Sequence, residues 1–164
     1  MLDMELAMIT LVQVLAGLAL VTNGVVYGAD AVAALVTRSV NARLDDTTMT
    51  LNAGWGHYFA DKRMPPIGIT GLAGALAAAV VAGLGGYPVA AAAAAVAVVS
   101  LVVWLMLYAR IAKPVNMAQK TAALSGVIPD NARALQQRWE SVIFVRVGLQ
   151  VIALIALVVV IAAV

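Results

Sequence analysis

The chain contains no cysteine, which removes disulfides, thiolate nucleophiles and iron–sulfur ligation together. It has a single histidine, His57, so neither a bis-histidine haem nor a multi-histidine metal site can be assembled within one chain; a His/Met haem is left open but has no spacing to support it. No metal ligand set is expected. Charge is scarce as well: Asp, Glu, Lys and Arg make up 11% of the residues and hydrophobic residues 64%, whereas an ordinary soluble domain is about half apolar. The leader has no basic residue, only Asp3 and Glu5. A cleaved signal would want a basic start and a short apolar core, so the first apolar segment is expected to be a retained transmembrane helix.

What remains is apolar length. The mean hydropathy is +1.02, and about 20 apolar residues are enough to cross a hydrocarbon core roughly 30 Å thick. Four stretches reach that length: about 6–29, 67–85, 89–107 and 142–164. The predicted fold is one all-α integral membrane domain over 1–164, a four-transmembrane-helix up-and-down bundle. Cytoplasmic loops collect Lys and Arg. Arg38, Arg43, Lys62 and Arg63 fall between the first two spans. Arg110, Lys113, Lys120, Arg133 and Arg138 fall between the last two, and Arg146 lies just inside the fourth. Both termini and the Gly85–Pro88 turn are therefore expected outside, and two long linkers with short helices in the cytoplasm. The plasma (cytoplasmic) membrane and its lipid bilayer are the expected surroundings. The basic residues serve topology, so no nucleic acid partner is expected.

Between the spans, Val36, Val40, Leu44, Leu51 and Trp55 recur at intervals of four or seven, which predicts an amphipathic helix continuing from the first span. Trp55, Tyr58 and Phe59 are expected to cluster at the interface. Span two should start after Pro65 and Pro66, since proline suits a helix's first turn. Its Gly71, Gly74, Ala75, Ala78 and Ala82 give a smooth face for close packing; their spacing does not fit a dinucleotide fingerprint. Pro114 should break or kink the helix leaving span three. A short helix is expected around 116–124, then a turn at Ser125-Gly126, then a helix capped by Asp130 that carries Trp139 into span four. Asp45 and Asp46 are adjacent and point to different sides of a helix, which makes a solvated face of them rather than an acid–base dyad.

The chemistry-bearing candidates are few. Asn23, Tyr27 and Asp30 stand at i, i+4 and i+7 on one helical face. With a rise of about 1.5 Å per residue, Asn23 lies ~26 Å below the outer face and Asp30 at the inner boundary. Trp139, Ile143, Arg146 and Gln150 share a face of the fourth segment, and Arg146 is about a turn inside that same boundary. Ionised groups at membrane depth face a bundle interior or a water-filled cavity, so Asp30 and Arg146 are expected to pair. One reading is an ion pair that fixes topology, with Arg146 snorkelling to the headgroups. The other is a polar pocket open to the cytoplasm and lined by Asn23, Tyr27, Asp30, Asn116, Trp139 and Arg146. Lys113-Pro114-Val115-Asn116 reads either as a helix stop with a polar cap or as a donor at the pocket mouth. His57 is the one group that titrates near neutrality unperturbed, and nothing in the sequence places a partner beside it. Thr10, Gln13 and Ser100 read as ordinary helix–helix hydrogen bonds.

Over nearly its whole length the order of features resembles a group of small four-helix membrane proteins, unknown-function domains related to fungal anthrone oxygenases. The resemblance rests on Asn23, Gly24 and Tyr27 in the first span, on Pro114-Val115-Asn116 after the third, and on Arg138-Trp139 followed by Arg146 at the fourth. The chain departs from the family pattern at Ile143 and Ala112, where asparagine is usual. The resemblance implies oxygenation of an electron-rich phenolic aromatic, without metal or flavin and hence with no cofactor. A base would form the carbanion and hydrogen-bond donors would hold the enolate. Asp30 or His57 would be the base; Arg146, Tyr27 and Asn116 would be the donors; a lipophilic aromatic or quinol would enter from the bilayer as ligand. The alternative is a non-catalytic scaffold, accessory subunit or homo-oligomer, favoured by the Gly/Ala surfaces. A transporter fits less well, because no paired spans are broken by Gly or Pro.

Overall fold

The computed structural model describes residues 2–164 and is helical throughout, the helices being joined by short turns. Helix α1 covers Leu2–Val32. A wide π turn at Ala33–Thr37 follows, then α2 at Arg38–Asn41, α3 at Asp46–Leu84 and α4 at Pro88–Leu107. A second π turn at Tyr108–Ala112 leads to α5 at Lys113–Ser125, α6 at Ala132–Glu140 and α7 at Ile143–Ala162. Joined through their π turns and the brief α6–α7 junction, these make four helical rods of 40, 39, 38 and 31 residues, each long and apolar enough to cross a membrane. At about 1.5 Å per residue even the shortest reaches ~46 Å, beyond the hydrocarbon thickness.

The chain falls into two compact units. One gathers residues 1–27, 66–103 and 148–164; the other gathers 28–65 and 104–147. The first is a four-helix bundle made of most of the length of the four apolar segments. Its core holds Val12, Ala16, Ala19, Ala75, Ala78, Ala82, Ala90, Ala94, Ala97, Leu101, Ala153, Ala156, Leu157 and Val160, and ten of these fourteen are alanine. Lipid tails are as apolar as the helices, so burial alone does not drive association there; small side chains let backbones close on one another. The glycines act in the same way. A Cβ at Gly74 would lie 3.2 Å from the Leu15 carbonyl oxygen, and one at Gly71 would lie 2.7 Å from the Asn23 amide.

The second unit holds all ten Lys and Arg residues, and here several expectations are corrected. The helix anticipated to run on from the first span stops at Asn41. Residues 42–45 turn the chain, and Asp45 caps α3, its carboxylate accepting from the Thr48 backbone N–H at 2.9 Å and from the Thr48 hydroxyl at 2.6 Å. That cap holds the Asp45 carboxyl below its ordinary range. Val36, Val40 and Trp55 are exposed, and the residues buried between 41 and 55 are Asn41, Met49, Thr50 and Gly54. The turn is clasped from α6. Arg133 donates to the carbonyls of Asn41 (2.9 Å) and Leu44 (2.7 Å) and to the Asp46 carboxylate.

The helix that carries span two does not start at the prolines. Helix α3 runs through Pro65 and Pro66, both of them exposed, so the carbonyls that lose their N–H partners are not sealed in a core. Pro114 does not break its rod either. The π turn at Tyr108–Ala112 lies just ahead of it and widens the coil where the ring would crowd the carbonyl one turn back. Asn116 is therefore inside α5 and caps nothing. Helix α5 ends as expected at Gly126, whose φ of +73° is the left-handed C-terminal geometry that glycine suits. Asp130 is not a cap: Asn131 holds that position, without a side-chain bond.

Helices α3 and α5 meet at Gly54. A Cβ there would run into the Gln119 backbone carbonyl and come 2.7 Å from the Ala123 Cβ. Backbone cannot rotate away as a side chain can. Gly54→Ala should therefore cost about 1–3 kcal/mol, read as a lower unfolding midpoint in detergent, whereas alanine at Gly56, inside α3 with open space around it, should raise the midpoint slightly, by about 0.5–1 kcal/mol of helix propensity.

Candidate functional site

The site is built on the second unit, around Arg146 near the start of α7. A guanidinium in an apolar run must be paired or hydrated, and here it is paired. Its Nη2 donates to Asp30 Oδ1 at 2.7 Å, with both side chains almost wholly buried. Asp30 Oδ2 accepts from Trp104 Nε1 at 2.8 Å, so both carboxylate oxygens are engaged. Three aromatic rings surround the guanidinium carbon: Trp104 at 5.1 Å, Trp139 at 5.3 Å and Tyr108 at 5.9 Å from ring centroid. Such distances are those of cation–π attraction. Trp104 and Tyr108 stack on each other with planes 2° apart, which they can do because residues four apart share a helical face. Arg146 thus does not snorkel; it is held in place by a carboxylate and three rings.

The cage leaves donors over. Arg146 Nε and Nη1 and Trp139 Nε1 are buried without a hydrogen-bond partner. A buried polar group left unpaired costs of order 1–3 kcal/mol, so an acceptor that satisfied them would be bound with corresponding gain. Asn116, also buried, has its Oδ1 unpaired.

His57 stands beside the cage, its ring centroid 6.0 Å from that of Trp139. Its Nε2 meets Gln119 Oε1 at 3.1 Å. Gln119 Nε2 donates to Gln136 Oε1 at 2.8 Å, and Gln136 Nε2 donates to Glu140 Oε1 at 2.8 Å. Arg38 lies against the other Glu140 oxygen at 3.4 Å. Burial pushes the His57 ring down to about 4, against the pull of Asp61 and the hydrogen bond to Gln119; Arg146 and Lys120 push the same way as burial. The ring is therefore neutral at neutral pH and keeps a lone pair.

Of the seven candidates named from sequence, Asp30, His57, Asn116, Trp139 and Arg146 lie in this unit, and Asp30 and Arg146 meet as their matching depths anticipated. Asn23 and Tyr27 belong to the other unit. The Asn23 amide is turned back on its own helix, donating to the Ala19 carbonyl at 2.9 Å, and fills the space left by Gly71. Tyr27 is half-buried. Trp104, Tyr108, Gln119, Gln136 and Glu140 were not picked out from sequence. Trp104/Tyr108 and Gln136/Glu140 are each four apart on a helix, the only local sign that they act as pairs. None of the seven candidates lines the open, apolar groove of about 440 Å³ along α5 and its following loop, between Met117 and Pro129. Among the described residues no three His, Asp or Glu side chains gather closely enough to hold a metal ion.

Comparison with known proteins finds no matching protein family, no matching curated protein and no matching solved structure.

Proposed function

We propose that this is an anthrone-oxygenase-like protein of the plasma membrane, binding a lipophilic aromatic or quinol whose ring oxygen accepts from Arg146 and Trp139. The observation that carries the reading is the set of buried, unpaired N–H groups on those two side chains. Donors fixed in a dry site and aimed at developing negative charge are worth far more than in water. The charge distribution supports an orientation with both termini outside and the basic residues in the cytoplasm: all ten basic residues sit in one unit and most of the length of the four apolar segments in the other.

In this mechanism neutral His57 takes a proton from the acidic ring methylene, and the enolate oxygen is held by Arg146 and Trp139. The carbanion adds dioxygen and, with a proton returned, gives a hydroperoxide. Loss of water then leaves the ketone, so that one methylene and one dioxygen become one carbonyl and one water. Asp30, with both oxygens occupied, serves to hold Arg146 and is not the base.

The test is oxygen uptake by the full chain in liposomes given anthrone. Turnover above spontaneous autoxidation is expected. Trp139→Phe should lower kcat about 10²-fold, the effect of deleting one oxyanion donor, and His57→Gln by about 10²–10⁴-fold. Uptake equal to that of empty liposomes would overturn the reading.

The non-catalytic alternative has its own support. A Cβ at Gly17, Gly24 or Gly28 of α1 would meet nothing within 4 Å, and small residues seven and four apart, on one helical face, suit helix association in lipid. A stable homo-oligomer that takes up no aromatic ligand would favour it.

A further inference from the structure

We infer that Glu140, acting through Gln136 and Gln119, fixes His57 as the tautomer protonated on Nε2 and leaves Nδ1 as its bare lone pair. The chain of contacts joins α6 to α5 and then to α3, and its two middle members are buried, Gln119 at 0% and Gln136 at 5% exposure. Each amide has one accepting end and one donating end. A carboxylate only accepts, so Gln136 must turn its NH₂ to Glu140, and its carbonyl then faces Gln119. Gln119 must answer with its own NH₂, which leaves its carbonyl facing the ring. Only a protonated Nε2 can meet that carbonyl at 3.1 Å.

The reversed chain would set the Gln136 carbonyl against the Glu140 carboxylate, two oxygens without a proton between them. Burial makes that arrangement more costly, since a low local dielectric strengthens the repulsion between two unpaired oxygens. Arg38 pairs with the second Glu140 oxygen at 3.4 Å, a carboxylate contact that offers acceptors only. A partner on one ring nitrogen setting the role of the other is a general property of histidine. Here the setting is imposed from three side chains away. Glu140, Gln136 and Gln119 are positioning residues. That Nδ1 takes the substrate's proton rests on the function proposed above; the tautomer does not.

The chain's single histidine makes the test direct. The full-length protein, labelled with ¹⁵N in its histidine ring and held in detergent at neutral pH, shows one pair of ring nitrogens. In the wild type the protonated nitrogen should be Nε2 alone, beyond the modest preference of a free imidazole. Glu140→Gln supplies an end that can donate as well as accept. The whole chain can then reverse, and the Nε2–H to Nδ1–H ratio should fall at least tenfold. Gln136→Leu, which cuts the chain one link nearer the ring, should loosen the ratio likewise if the first variant does not fold. Arg38→Gln, which keeps the carboxylate, should leave Nε2 protonated. A wild-type ring protonated on Nδ1, or a ratio unmoved in a folded Glu140→Gln or Gln136→Leu protein, would overturn the relay. A wild-type Nε2–H spectrum in a protein that takes up no oxygen with anthrone would keep the relay and remove the oxygenase.

Discussion

Asp30→Asn is expected to destabilise the protein by about 3–5 kcal/mol, the cost of breaking a buried ion pair from one side. The variant keeps the Arg146 charge, its burial and its three rings, and removes only the counter-charge at 2.7 Å. The loss is therefore set by an uncompensated cation more than by one missing hydrogen bond. Arg146→Met should cost a similar amount by stranding the carboxylate. The double variant Asp30→Leu, Arg146→Met should recover most of the loss, because replacing both members of a buried pair by apolar groups is often neutral or better. Reversible unfolding in mixed detergent micelles, run as a double-mutant cycle with Asp30→Leu as the matching single variant, measures the coupling. Additive single losses would mean that the two side chains do not depend on one another. Under the function proposed above, the same double variant should bind no phenolic ligand, which would separate stability from function: the pair costs free energy to bury, and it holds an arginine whose Nε and Nη1 are unpaired.

Between pH 6.5 and about 4 the protein should lose stability as the pH falls, and His57 should be responsible. In the unfolded chain its ring titrates near the ordinary 6.5; in the fold burial pushes it down to about 4. Above pH 6.5 the ring is neutral in both states and the contribution is fully present. Through the window below it the unfolded state binds a proton that the folded state refuses, so the equilibrium shifts toward unfolding. Below about pH 4 both states are protonated and the loss levels off. The whole shift corresponds to about 3 kcal/mol. Asp61 works against it, while Lys120 and Arg146 work with it. His57→Gln should flatten this stretch of the stability–pH curve while leaving carboxylate titration in place. A wild-type curve that is flat from pH 7 to 4.5 would show that the ring is not buried as a neutral base.

How much of this could be read in advance differs from residue to residue. Asp30 and Arg146 were legible because ionised groups in apolar runs need partners, and depth along a helix says which two can meet. The apolar segments were legible from length alone. Asn23 was legible as a polar group facing inward, but its complement is the missing side chain of Gly71, and a complement made of empty space appears only when two helices are packed. The relay was hidden for the opposite reason. Gln119, Gln136 and Glu140 sit in polar linkers, where glutamine and glutamate ordinarily face water, and their burial is decided by how α3, α5 and α6 meet. Pro65 and Pro66 misled because proline ordinarily stops or kinks a helix interior, whereas α3 runs through both, with the two residues exposed. The helix break at 42–45 was missed because Ala42, Arg43 and Leu44 include no glycine or proline, the usual marks of a turn.

That last turn has a consequence for the order in which the chain assembles. Its shape is imposed by Arg133, which reaches the Asn41 carbonyl across a separation of 92 residues and the Leu44 carbonyl across 89. The Asp45 cap starts α3 locally, but the side chain that clasps the turn comes from α6, so α2 and α3 can settle their angle only after most of the polypeptide has been made and α6 has arrived. A contact this distant along the chain is slow to close, and the reversal between the first two rods should be among the last features to become fixed.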